Sequence, residues 1–207
     1  MKIVPYYPNS EDNIHCLQAC IKSALAFYFP NEKFEDNVVD QKTLQIGGWS
    51  WFPPAVCWLN SLGIKVKIYS IFDYNRFASE GENYLREFKK WFYEVEEKAG
   101  AYKNLKELQD FTKKMISNNL WANEIIDSEK LIELLKDEKT LAIGKTIYES
   151  LDGTPSSQVK NPTSHFVLLI KEYNYHQWLL HDPGLPERPN RKVEKSLHLG
   201  DVVVLSN

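Results

Sequence analysis

The stretch Asn13-Ile14-His15-Cys16-Leu17-Gln18-Ala19-Cys20-Ile21-Lys22-Ser23-Ala24-Leu25 decides how the rest of the chain is read. After Cys16, the residues Leu17, Cys20, Ile21, Ala24, Leu25 and Tyr28 recur at helical spacing, so a polar loop delivers a cysteine to the first turn of an apolar helix that ends near Pro30. Asn13 is the expected cap. A thiol at a helix N-terminus lies in the positive end of the dipole, which favours the thiolate, the nucleophilic form. The same stretch also fits two small core residues, because free cysteine is among the most buried residue types.

Working outward, Lys2 to Tyr7 reads as a short extended edge segment. Residues 31–45 are charged and weakly patterned. The aromatic break Trp49-Ser50-Trp51-Phe52-Pro53-Pro54 precedes a short helix from Ala55 to Leu62, with Gly63 after it. Trp49 and Trp51 are candidates to line a substrate groove, or else they pack under the loop. Ile64 to Tyr69 alternates as a half-buried strand does. From about 75 to 123 the chain is charged and helical, with one stripe of Tyr84, Phe88, Trp91, Phe92 and Val95 and another of Leu105, Leu108, Phe111, Met115 and Ile116. This segment reads as an insertion laid over a β-rich remainder, and as a lid that restricts substrate size. Ser128 is the expected cap of a further helix, Glu129 to Asp137.

The C-terminal third is strand-like: Thr140–Gly144, His165–Ile170, Gln177–Asp182 and Asp201–Ser206. The expected fold is therefore α+β, one domain over residues 1–207, its N-terminal helix packed on a C-terminal antiparallel sheet. In a hairpin, His165 at the start of one strand meets Asp182 at the end of the next. A carboxylate there orients the imidazole, and the imidazole activates a thiol opposite it. Cys16 is the natural third member. Each residue also has a plainer reading: a strand-end histidine bound to a loop, or an Asp-Pro turn.

Cys16-Leu17-Gln18-Ala19-Cys20 opening a helix, Ser164-His165-Phe166-Val167-Leu168, and His181-Asp182-Pro183-Gly184 together resemble the papain-like peptidase C39 family and its C39-like relatives. The resemblance covers roughly residues 3–70 and 128–206 and leaves the helical middle unexplained. It implies a papain-like fold, with Cys16 as nucleophile, His165 as general base and acid, and Asp182 as orienting carboxylate. It also places Asn9 in the slot of the family's oxyanion-binding glutamine. Two departures stand out: asparagine for glutamine, and Leu17-Gln18 for Gly-Pro.

The resemblance leads to a cysteine hydrolase acting on a peptide or small amide through a thioester. The alternatives are a thiol-dependent acyl or amide transferase, and a non-catalytic binding module on the same fold. That chemistry requires no cofactor. A metal site built from His165, His176, His181 and Asp182 is disfavoured, because His181 and Asp182 are consecutive on a strand and point to opposite faces. A net charge of −3 argues against a nucleic-acid partner. No apolar run reaches the ~18 residues of a membrane span. Three cysteines with no disulfide-like spacing, and no signal-peptide pattern, make a reducing cytoplasmic setting the expectation. The oligomeric state is not legible.

Overall fold

A computed structural model describes residues 2–44, 50–90, 93–98, 100–160 and 162–207. Helices α1 (Cys16–Tyr28), α2 (Asp36–Thr43) and α3 (Phe52–Ser61) precede strand β1 (Lys65–Tyr69). Helices α4 (Tyr74–Glu80), α5 (Glu82–Phe88), α6 (Tyr93–Lys98) and α7 (Leu105–Ser117) follow, then the short strand β2 (Trp121–Ala122) and helix α8 (Ser128–Leu135). Strands β3 (Leu141–Ile147), β4 (Ser164–Asn174), β5 (Gln177–Asp182), β6 (Arg188–Glu194) and β7 (Val202–Ser206) complete the chain. The seven strands form one sheet in the order β2-β1-β7-β3-β4-β5-β6, antiparallel except for β1 with β2. The architecture is α+β.

The apolar period of α1 buries Leu17, Cys20, Ile21, Ala24 and Leu25, and this face packs on β3 and β4. One core forms there with Phe166, Leu168 and Ile170 of β4 and with residues of α3 and α7. The opposite sheet face packs Val167, Leu169, Trp178 and Leu180 against Leu131 and Leu135 of α8. Alternation along β4 thus feeds two cores. Fully burying one such side chain contributes about 1.5–3 kcal/mol.

Several local expectations are corrected. Asn13 does not cap α1; it has φ 58°, and His15 holds the N-cap position. The cap of α8 is Asp127, whose carboxylate accepts from Lys130 N–H, not Ser128. Pro53 and Pro54 lie inside the first turn of α3, where missing N–H groups have no helical acceptor to lose. Residues 2–10 join no strand. Pro5 and Pro8 cannot donate to a ladder. The segment is tied by other groups, notably Asn9 N–H to Pro183 O at 2.9 Å. The first aromatic stripe of the helical segment is only half core: Tyr84 is buried, while Phe88 and Val95 are exposed, and Trp91 and Phe92 lie outside the described residues.

Lys2 is the least expected buried residue. Its ammonium donates to the carbonyls of Asp137 (3.0 Å), Ile170 (3.0 Å) and Thr140. Ile170 sits at the bulge between Leu169 and Lys171, where the β4–β5 ladder slips. Lys2 therefore supplies a donor where the sheet does not. Lys2→Met keeps the stem and removes the donor. It is expected to cost about 1–3 kcal/mol in urea denaturation, the cost of leaving buried acceptors unpaired. An unchanged midpoint would remove Lys2 from the account of that bulge.

Candidate functional site

The β4–β5 register pairs Leu168 with His181. Carried three residues further, it brings His165 opposite Gly184, with Asp182 beside it. His165 Nε2 lies 2.8 Å from Asp182 Oδ1, and both side chains are buried. Gly184 N–H donates to the same Oδ1 at 3.0 Å, and Arg191 Nη1 on β6 donates to Oδ2 at 2.5 Å. The Tyr6 hydroxyl donates to the Asp182 carbonyl at 3.1 Å. Cys16 at the start of α1 lies near enough to the imidazole to influence its charge. Tyr148 meets the His165 ring edge-on, its centroid 5.1 Å away.

These contacts set the protonation states. Burial alone lowers the His165 pKa, but the hydrogen bond to Asp182 and the charges of Asp182 and Cys16 outweigh it and place it at about 9. Burial alone raises the Asp182 pKa, yet His165, Arg191 and the Gly184 N–H hold it below the usual carboxylate value. Burial pushes the Cys20 thiol well up and that of Cys57 to about 11, so both remain thiols at neutral pH. Cys16 alone among the three is only partly buried.

Cys16 opens into a cleft of about 250 Å³ that Ser50, Trp51, Phe52, Phe72, Phe166, Lys145 and Asp201 also line. The helical segment contributes Phe88, Lys89 and Glu96 to its wall. Trp51 stacks on Phe77 at 5.6 Å and carries the Lys89 ammonium 5.3 Å from its ring centroid. Trp49 lies outside the described residues. A larger cavity, about 640 Å³, is lined by Leu151, Asp152 and Arg191 but by neither Cys16 nor His165.

Asn9 is buried and faces its own loop. Its Oδ1 accepts from His15 N–H at 2.8 Å and Ser10 N–H at 2.9 Å, and its Nδ2 donates to Asn13 Oδ1 at 2.8 Å. It is not among the residues lining the cleft. His181 turns away from Asp182, toward Val4 O (3.0 Å) and Asn190 N–H (3.1 Å). Among the described residues no group of three or more His, Cys, Asp or Glu is placed to hold a metal ion, and no helix is long and apolar enough to cross a membrane. Arg191, Tyr148 and Lys145 were not anticipated. Their places depend on strand pairing across the sheet, which leaves no local pattern. No family model matches the chain, and no curated protein is significantly similar to it.

Two outcomes follow from this geometry. The folded His165 value of about 9 lies above the ~6.5 of a free histidine. Proton binding therefore favours the folded state. That contribution is fully present below pH ~6.5 and is lost as pH rises through about 9. In an NMR titration the His165 ring midpoint falls in Cys16→Ala, because a negative neighbour goes while burial stays; an unmoved midpoint would separate the two residues. Separately, a Cβ on Gly184 would stand 2.8 Å from Tyr148 Cε2, 3.1 Å from His165 Cε1 and 3.2 Å from Asp182 Oδ1. Gly184→Ala is expected to displace the imidazole and slow Cys16 alkylation on the order of tenfold to a hundredfold, with the circular dichroism spectrum retained. Full reactivity in that variant would mean that the ring position does not matter.

Proposed function

We propose that this chain is a papain-like cysteine hydrolase that cleaves an amide bond, most simply a peptide. The observation that carries the reading is the buried His165–Asp182 pair, with Cys16 near enough to influence the imidazole's charge and opening into a cleft at the N-terminus of α1. In the proposed reaction, the Cys16 thiolate attacks the amide carbon while His165 holds the proton as imidazolium. The first turn of α1 leaves N–H groups without helical acceptors, and the Cys16 N–H among them donates to the oxyanion. The imidazolium protonates the leaving amine, giving a thioester and free amine. His165, now neutral, takes a proton from water, which attacks the thioester; the acid leaves and the thiolate–imidazolium pair returns.

Asp182 keeps the imidazole oriented and stabilises its cation. Arg191 and the Gly184 N–H keep Asp182 ionised, so that the pair does not collapse to a neutral carboxylic acid. The helical wall of the cleft, through Phe88 and Lys89, narrows the space beside Cys16 and favours small or extended substrates.

The test is an acyl-enzyme measurement with p-nitrophenyl acetate. The reading expects a nitrophenolate burst equal to the enzyme concentration and one acetyl group on Cys16 by peptide mass spectrometry. It also expects acylation to fall as pH rises through about 9, where His165 loses its proton. Release of acetate supports hydrolysis, whereas transfer to an added amine in preference to water supports the transferase alternative. Acetyl groups spread evenly over Cys16, Cys20 and Cys57, or a burst that survives Cys16→Ala, would overturn the proposal.

A further inference from the structure

The far wall of the cleft carries charges that the proposed chemistry does not use. Lys89 gives its ammonium to both oxygens of Glu96, at 3.0 and 2.8 Å, and lies over Trp51. Glu96 accepts a further hydrogen bond from the Tyr102 hydroxyl. Asp201 accepts from the Ser70 hydroxyl at 2.5 Å. Lys145 differs from all of these. It lines the same cleft, is only partly exposed, and its ammonium has no hydrogen-bond or ion-pair partner among the described residues.

Strand pairing fixes its position. Lys145 pairs with Phe166 in the β3–β4 ladder, one step from the Thr146–His165 pair. Its backbone is held on the other side, donating to Asp201 O at 2.9 Å and accepting from Gly200 N–H at 2.8 Å. Among the described residues, the cleft therefore presents one unneutralised cation on a strand, together with the aromatic side chains of Phe166, Phe52, Trp51 and Phe72. Half-buried ammonium groups are hydrogen-bond donors that gain from a charged acceptor.

We infer that Lys145 is a specificity-determining residue that binds a carboxylate on the substrate. This inference rests on the cysteine hydrolase reading and names its substrate class: an amide that carries an apolar body and a single carboxylate. A dianion such as a phosphate ester fits less well, because Asp201 and Glu96 line the same space. Lys89 is already held by Glu96, so Lys145 supplies the free charge.

The test uses chloroacetyl derivatives of glycine, β-alanine, 4-aminobutyrate and 6-aminohexanoate, each as the free acid and as the primary amide. Chloride leaves as the Cys16 sulfur forms its bond to carbon. The rate of Cys16 alkylation is read as the acid-to-amide ratio at each chain length. The imidazolium attracts every acid, but only Lys145 gives a preference that peaks at one length. The expected ratio at that length is about tenfold above the others. It is lost in Lys145→Gln, inverted in Lys145→Glu, and reduced by salt. Inversion cannot come from a variant that has failed to fold. A ratio that is flat across chain lengths, or unaltered in Lys145→Glu while the amides still alkylate Cys16, overturns the carboxylate assignment and leaves the hydrolase reading intact. Amides that show no preference for Cys16 over Cys20 and Cys57 overturn both.

Discussion

Antiparallel pairing of β4 with β5 is the constraint on which the cleft depends. It fixes His165 against Asp182 at 2.8 Å, and it does so with backbone hydrogen bonds that neither side chain makes. Helix α1 then has one way to lie. Its apolar face docks on β3 and β4, and its N-terminus is carried to the end of the sheet where the imidazole waits. The position of the thiol thus follows from the burial of Leu17, Ile21 and Leu25.

Buried charge at this end of the sheet is arranged in a chain. Asp182 is almost fully buried, which by itself would favour its neutral form. Three donors on different elements prevent that: His165 on β4, the Gly184 backbone after β5, and Arg191 on β6. Arg191 is in turn held by the Leu151 carbonyl at 2.6 Å and by the Asp152 carboxylate. Breaking one partner of such a buried pair is costly, because the other charge is left behind. The arrangement keeps the imidazole protonated to about pH 9 and so keeps a cation beside Cys16 across the neutral range.

The legible parts of the fold were those with a strong period. The stripe from Leu17 to Tyr28 gave α1, and the alternation in Ile64–Tyr69 gave β1. The hairpin spacing put His165 beside Asp182. What was missed has weak patterning. Helix α2 buries only Val39 and Thr43, so no stripe announces it. Strand β6 reads Arg-Pro-Asn-Arg-Lys-Val-Glu, an edge strand with a proline and one buried residue, Val193. The two stripes of the helical middle imply at least two amphipathic helices, and among the described residues there are four, separated in part at Gly81, whose φ of 56° suits glycine. Asn13 misled as a cap because the N–H of the N-cap residue, His15, is taken by Asn9 from outside the helix. The roles of Arg191 and Lys145 depend on β5–β6 and β3–β4 pairing, which no local window contains.

The most direct test of the account is the pH dependence of iodoacetamide alkylation at each cysteine, read by peptide mass spectrometry in the wild type and in His165→Ala. The account predicts that Cys16 reacts faster than Cys20 and Cys57 across the neutral range, and that His165→Ala slows Cys16 selectively. A Cys16 rate that is unchanged in His165→Ala, or that matches those of Cys20 and Cys57, would contradict the claim that the fold places His165 to activate Cys16.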